Sequence, residues 1–174
     1  MTLILKNLFN FFKLLNSDTG ENQIAFGVAC GMVLGFAPFL SLQTLFVFAL
    51  IFFLRIQLGA ALTSAFFFGM ISFILDPLFN MVGIWFLELN ALKPLYTTMY
   101  NMPILPFTKF YNSIAMGALV VSIVLLVPVA FLFRALTLKY RKTVVERFKT
   151  TKMFKAFKAT SFYKWYAKYD QLYG

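Results

Sequence analysis

Three long uncharged stretches dominate the chain. No charged residue lies between Glu21 and Arg55, between Arg55 and Asp76, or between Lys109 and Arg134. Each gap is long enough for a helix of about 20 residues, the length that crosses about 30 Å of hydrocarbon. Ahead of them, residues 2–15 (TLILKNLFNFFKLL) set apolar clusters against Lys6, Asn7, Asn10 and Lys13. Polar residues at 6, 10 and 13 fall on one helical face, which predicts an amphipathic helix lying in a membrane interface. It is too short and too polar to span. Asn16 to Gly20 then read as a turn, with side chains that cap helices.

Proline interrupts the first two apolar regions. Pro38 divides residues 22–54, and Pro77 divides the runs at 58–75 and 78–87. The part before Pro38 carries Gly27, Gly31 and Gly35 at four-residue spacing, a ridge that lets another helix approach closely. Two arrangements fit 22–54: one long kinked span, or a re-entrant pair of short helices folded around Pro38. Residues 92–112, with Pro94, Pro103, Pro106 and several tyrosines, read as an ordered loop with aromatic interface anchors. Residues 113–133 are the cleanest span, with Pro128 as a candidate kink.

Composition fits this pattern. Hydrophobic residues make up 61% of the chain and charged residues 13%, against about 45–50% and roughly 25% in soluble domains. Such a chain cannot cover its surface with polar groups, so the expected solvent is a bilayer. No small-residue cleavage site follows the apolar start, so the N-terminal segment is expected to be retained.

Charge then sets an orientation. Residues 134–174 hold eleven Lys or Arg against Glu146 and Asp170, which is +9 of the total +10. The positive-inside rule puts this tail in the cytoplasm and the 92–112 loop on the opposite side. Lys149, Lys152, Lys155, Lys158, Lys164, Trp165 and Lys168 are the candidate contacts to anionic lipid headgroups. Stacking aromatics on a basic segment also suit nucleic acid. A tail tethered beside a span explains the same residues more simply, so no nucleic-acid partner is expected.

Candidate chemistry is sparse. There is no histidine and a single cysteine, Cys30. This excludes an intrachain disulfide, a Cys/His zinc site and Ser-His-Asp or Cys-His catalysis. No cofactor, metal or catalytic residue is expected. The candidate polar site is Pro38, Gln43, Arg55, Asp76 and Pro77. A carboxylate at mid-membrane costs about 2.5–3.5 kcal/mol on insertion scales unless paired or hydrated. Asp76-Pro77 is thus either the lining of a polar cavity or a turn at the membrane surface. Arg55 either marks a short loop or pairs with Asp76 or Glu88. Around Pro38, freed backbone groups and Gln43 either coordinate a polar group or merely accompany a packing kink. Paired proline-broken segments are also the pattern of transporter binding sites.

Several motifs in order resemble a bacterial membrane family, domain of unknown function 2062. The first is Gln23-Ile24-Ala25-Phe26-Gly27-Val28-Ala29 followed by Gly31, Gly35 and Pro38. Leu75-Asp76-Pro77-Leu78 with Gly83, and Tyr100-Asn101-Met102-Pro103 through Pro106-Phe107-Thr108-Lys109-Phe110, are similar to a short single-domain subgroup of uncharacterised proteins. The chain departs from the family pattern at Gly20-Glu21-Asn22, where members often carry a proline, and at Ser41-Leu42. The resemblance covers roughly residues 20–140 and implies an accessory role in the cell envelope.

The expected fold is all-α, a polytopic membrane helical bundle with proline-broken or re-entrant helices. Residues 1–20 form an interfacial helix, 21–134 the membrane domain and 135–174 a basic cytoplasmic helical tail. The expected function is a non-catalytic inner-membrane component of a cell-envelope assembly that handles lipid or lipid-linked glycan, with another envelope membrane protein as partner. The alternative is a small transporter or lipid translocator with its site at the two proline breaks.

Overall fold

A computed structural model describes Leu3, Ile4, Asn7, Leu15 and residues 19–145. The four isolated residues are helical; the rest of the N-terminal segment, and the basic tail from residue 146, lie outside the described residues. Every regular element among the described residues is helical: α1 (Glu21–Phe36), α2 (Leu42–Phe53), α3 (Leu58–Leu87), α4 (Lys93–Tyr100), a 3-10 turn (Leu105–Thr108) and α5 (Ser113–Tyr140).

Local chemistry sets most of the boundaries. α1 stops because Ala37 precedes Pro38, which disfavours helical backbone at Ala37; Ala37 is extended, at φ −68° and ψ 145°. α2 starts on Ser41, whose hydroxyl accepts from the Thr44 N–H at 3.3 Å, a side-chain N-cap. It ends at a tight turn with Arg55 in the left-handed region, at φ 52°. α4 carries Pro94 in its first turn, where no N–H is needed. The Asn112 side chain receives the Ala115 N–H at 3.1 Å and starts α5.

Pro77 does not break its helix. α3 runs unbroken from Leu58 to Leu87 with Pro77 inside it, so the interruption expected there is corrected. The missing N–H leaves the Phe73 carbonyl without its usual donor. Packing on either side offsets that loss, since Leu75 and Phe79 share one apolar cluster with Met32, Phe36 and Ala118. The loop expected over 92–112 also contains α4 and the 3-10 turn. α5 carries Pro128 internally and continues past Arg134, so the change of composition there is not an element boundary.

α3 is the spine of the fold. Its first half lies against α1, where backbones nearly touch. A Cβ at Gly27 would sit 2.8 Å from the Gln57 carbonyl oxygen and 2.9 Å from the Ala60 Cβ. One at Gly31 would overlap the Ser64 hydroxyl and the Ala61 carbonyl, and one at Gly35 would lie 2.7 Å from the Ala65 carbonyl oxygen. Residue numbers rise together on both sides, so α1 and α3 run in the same direction. The second half of α3 lies against α5: a Cβ at Gly83 would overlap the Ser113 carbonyl, and one at Gly117 the Phe79 carbonyl. Here the numbers run in opposite senses, so these helices are antiparallel. α2 closes the bundle through Val47 and Ile51, which pack on Cys30, Val33 and Ala61.

Two helices are long and apolar enough to cross a membrane, Leu58–Leu87 and the stretch beginning at Ser113. Only 22% and 28% of their most apolar windows is buried within the protein. Phe39, Leu40, Phe53, Phe73 and Ile74 are among the many large apolar side chains that face outward. Contacts divide the chain into two compact units, Met1–Thr137 and Leu138–Gly174. Of the second, the described part is the end of α5 and a π-helical turn, Arg141–Val145.

Candidate functional site

The turn between α1 and α2 gathers the polar groups of the first apolar region. The Thr44 hydroxyl donates to the Pro38 carbonyl at 3.1 Å, which gives a donor to an oxygen at the proline break. Ser41 lies 3.2 Å from the same hydroxyl. Gln43 is buried, and its amide donates to the Thr108 carbonyl at 3.0 Å. Thr108 in turn donates to the Leu105 carbonyl at 2.7 Å. The 3-10 turn therefore meets the start of α2 through one partly buried hydrogen bond. A cavity of about 270 Å³ lies beside this bond, with apolar walls from Val33, Phe46, Val47 and Leu119. No fully buried side-chain N or O among the described residues lacks a partner, and Ser41, Gln43 and Thr44 each make a hydrogen bond within the protein.

The other candidate residues stand apart from it. Arg55 is exposed in the turn at the far end of α2, about 18 Å of helix from Gln43 at 1.5 Å per residue. Pro77 is exposed on α3. Asp76 is half-buried within the length of α3, so the reading of Asp76-Pro77 as a surface turn is corrected. Neither Arg55 nor Glu88 forms an ion pair with Asp76 among the described residues. Pro38 and Gln43 thus belong to one site, whereas Arg55, Asp76 and Pro77 do not join it. The residues from Lys149 to Lys168 lie outside the described residues. Cys30 is a buried free thiol, and no cluster of metal-ligating side chains occurs among the described residues.

Asp76 does share a helical face with other small or polar groups. Ser72, Asp76, Asn80 and Gly83 follow at spacings of four, four and three. The Ser113 hydroxyl donates to the Asn80 side-chain oxygen at 2.5 Å, one turn from the Gly83–Gly117 crossing. Sequence reasoning missed the role of Gly117. The signal was available: Ser113 and Gly117 are small residues four apart in an apolar helix, the spacing that allows close approach.

Two further cavities open at opposite ends of the helices. One, of about 530 Å³, is lined by Lys93, Tyr96, Tyr100, Asn101, Phe110 and Tyr111 among others. Tyr100 and Tyr111 meet edge to face with centroids 5.8 Å apart. The Tyr96 hydroxyl donates to the Phe86 carbonyl at 3.3 Å, and partial burial pushes its phenol above the ordinary value. The other, of about 280 Å³, lies between α1 and α5 and includes Asn22 and Arg134.

Comparison with known proteins gives a bacterial family. Residues 7–145 match a family model described as an uncharacterized protein conserved in bacteria, domain of unknown function 2062. An uncharacterized protein of Treponema pallidum (strain Nichols) is 30% identical over 138 residues, which cover 79% of this chain and 85% of that one. No solved structure matches.

Proposed function

The chain belongs to the bacterial family of domain of unknown function 2062, and from that premise we propose that it is a multi-pass inner-membrane protein. It works as a non-catalytic, lipid-handling component of a cell-envelope assembly. α3 and α5 cross the bilayer in opposite directions, and the C-terminus is cytoplasmic by the positive-inside rule. α1 and α2 form a re-entrant hairpin that enters from the cytoplasmic side and returns to it.

One observation carries this reading: α1 lies parallel to α3, yet α1 and α2 are both short. Their 16 and 12 residues measure about 24 and 18 Å at 1.5 Å per residue, less than about 30 Å of hydrocarbon. The tip exposes Phe39 and Leu40, side chains suited to hydrocarbon. The Pro38 carbonyl and the Ser41, Gln43 and Thr44 side chains at the tip are bonded within the protein, which lowers the cost of polar groups at membrane depth. The outward apolar faces of α3 and α5 support the same environment, since the core helix of a soluble protein is mostly buried.

The test is purification in mild detergent with identification of bound lipids and proteins. A stoichiometric envelope membrane protein with co-purifying lipid is expected. A lipid-free chain that stays monodisperse without detergent would sink the reading. A second reading, translocation of a polar lipid group past the proline breaks, draws on Asp76 and Asn80 within the apolar length of α3. Under it, Asp76→Asn abolishes substrate movement in reconstituted vesicles while leaving the assembly intact.

A further inference from the structure

We infer that the groove between α1 and α5 is a binding site for one anionic phospholipid of the cytoplasmic leaflet. The inference rests on the membrane reading above and goes beyond it by naming the ligand and the residues that hold it. The groove has a volume of about 280 Å³. Its floor is made of Ala25 and Ala130, 2% and 7% exposed, small residues that leave room between the helices. Phe26, Val127 and Phe131 stand as its walls at 47%, 55% and 63% exposure. A trench of this kind, open sideways, takes a flexible hydrocarbon chain.

Charge selects the headgroup. The trench ends at Asn22 on α1 and Arg134 on α5. Arg134 is the first charge after the uncharged run from Lys109. Its guanidinium is exposed and has no ion-pair partner among the described residues. A guanidinium binds phosphate through two parallel hydrogen bonds, and the Asn22 amide adds a donor. From Val127 to Arg134 the helix rises about 10 Å at 1.5 Å per residue. The phosphate therefore sits at the polar end of the trench while an acyl chain runs down it towards the bilayer centre. A free phosphate would engage the cation alone and leave the apolar walls uncovered.

The experiment uses the full chain, delipidated in a mild neutral detergent. Phosphatidylglycerol, phosphatidylcholine and inorganic phosphate are added separately, and the unfolding midpoint and the bound mass are read. Phosphatidylglycerol is expected to raise the midpoint by several degrees and to appear as one retained lipid, with little effect from the other two. Arg134→Gln should reduce the preference for phosphatidylglycerol over phosphatidylcholine at least fivefold. Ala130→Leu fills the trench and should abolish lipid retention with Arg134 intact. If that variant misfolds, Phe131→Ala, which removes an exposed wall, should weaken retention instead. Equal response to the two lipids, or an undiminished preference in Arg134→Gln, overturns the inference. Stabilisation by inorganic phosphate equal to that by phosphatidylglycerol also overturns it. A chain that needs detergent yet shows no lipid preference refutes the groove alone; a chain soluble without detergent refutes the membrane reading itself.

Discussion

Single glycines decide how close the helices come. Gly31 has the least room of the α1 ridge, because a methyl group there would overlap both a hydroxyl and a carbonyl of α3. Ser64 cannot retreat easily, since its hydroxyl is bonded to the Ala60 carbonyl at 2.7 Å and lies 3.3 Å from the Val28 carbonyl. Gly31→Ala is expected to cost about 1–3 kcal/mol, the usual range for overpacking. Thermal unfolding in detergent measures it, and an unchanged midpoint would mean that α1 can shift away without loss. The ridge spacing was legible in the sequence because glycines four apart have one physical use in an apolar helix. Its partner was not legible. A glycine states that something comes close, whereas Ala60, Ala61 and Ser64 are unremarkable residues in a long apolar run.

At the scale of the element, two prolines of the same type have opposite effects. Pro38 ends α1, and the residues after it supply a new cap through Ser41 and a donor for its carbonyl through Thr44. After Pro77 the residue at the matching position is Asn80, whose side chain bonds Ser113 of α5 and does not cap a new helix, and packed neighbours on both sides keep the helix going. Sequence reading treated the two alike, since proline shows where an N–H is missing and not whether packing makes up for it. Because Pro77 is exposed, its ring contributes little packing. Pro77→Ala gives the Phe73 carbonyl its donor back and is expected to raise the unfolding midpoint, since proline in a helix interior costs about 3 kcal/mol relative to alanine. A lowered midpoint would show that the fold needs the proline. The short helix α4 escaped sequence reading for another reason: eight residues mixing Thr, Tyr and Lys show no long apolar period.

At the scale of the whole molecule, the direction of each helix makes a topology that can be probed from either side of a membrane. Gln23, Arg55 and Thr98 are exposed, and Cys30 is the chain's one cysteine. In a Cys30→Ala background, Thr98→Cys is expected to react with an impermeant maleimide added outside spheroplasts. Gln23→Cys and Arg55→Cys should react only after the membrane is opened. Phe39→Cys at the hairpin tip should resist labelling from both sides. Labelling of Phe39→Cys from outside would turn the hairpin into a pair of full spans. All-helical architecture was legible from charge-free lengths alone. The parallel pairing of α1 with α3 was not, because hydropathy gives the length of a segment and says nothing of which neighbour it chooses.

That parallel pairing has a consequence for the order of events during synthesis. The ridge at Gly27, Gly31 and Gly35 meets Gln57 and the first part of α3, through Gly69, which emerge from the ribosome later than the ridge does. At roughly 5–20 residues per second, the hairpin waits a few seconds for its surface to be covered. Gly27, Gly31 and Gly35 stay uncovered in that interval. On the proposed re-entrant topology, insertion of the hairpin is therefore completed by a helix that does not yet exist when the hairpin is made, and the growing chain depends on whatever shelters it at the membrane until α3 arrives.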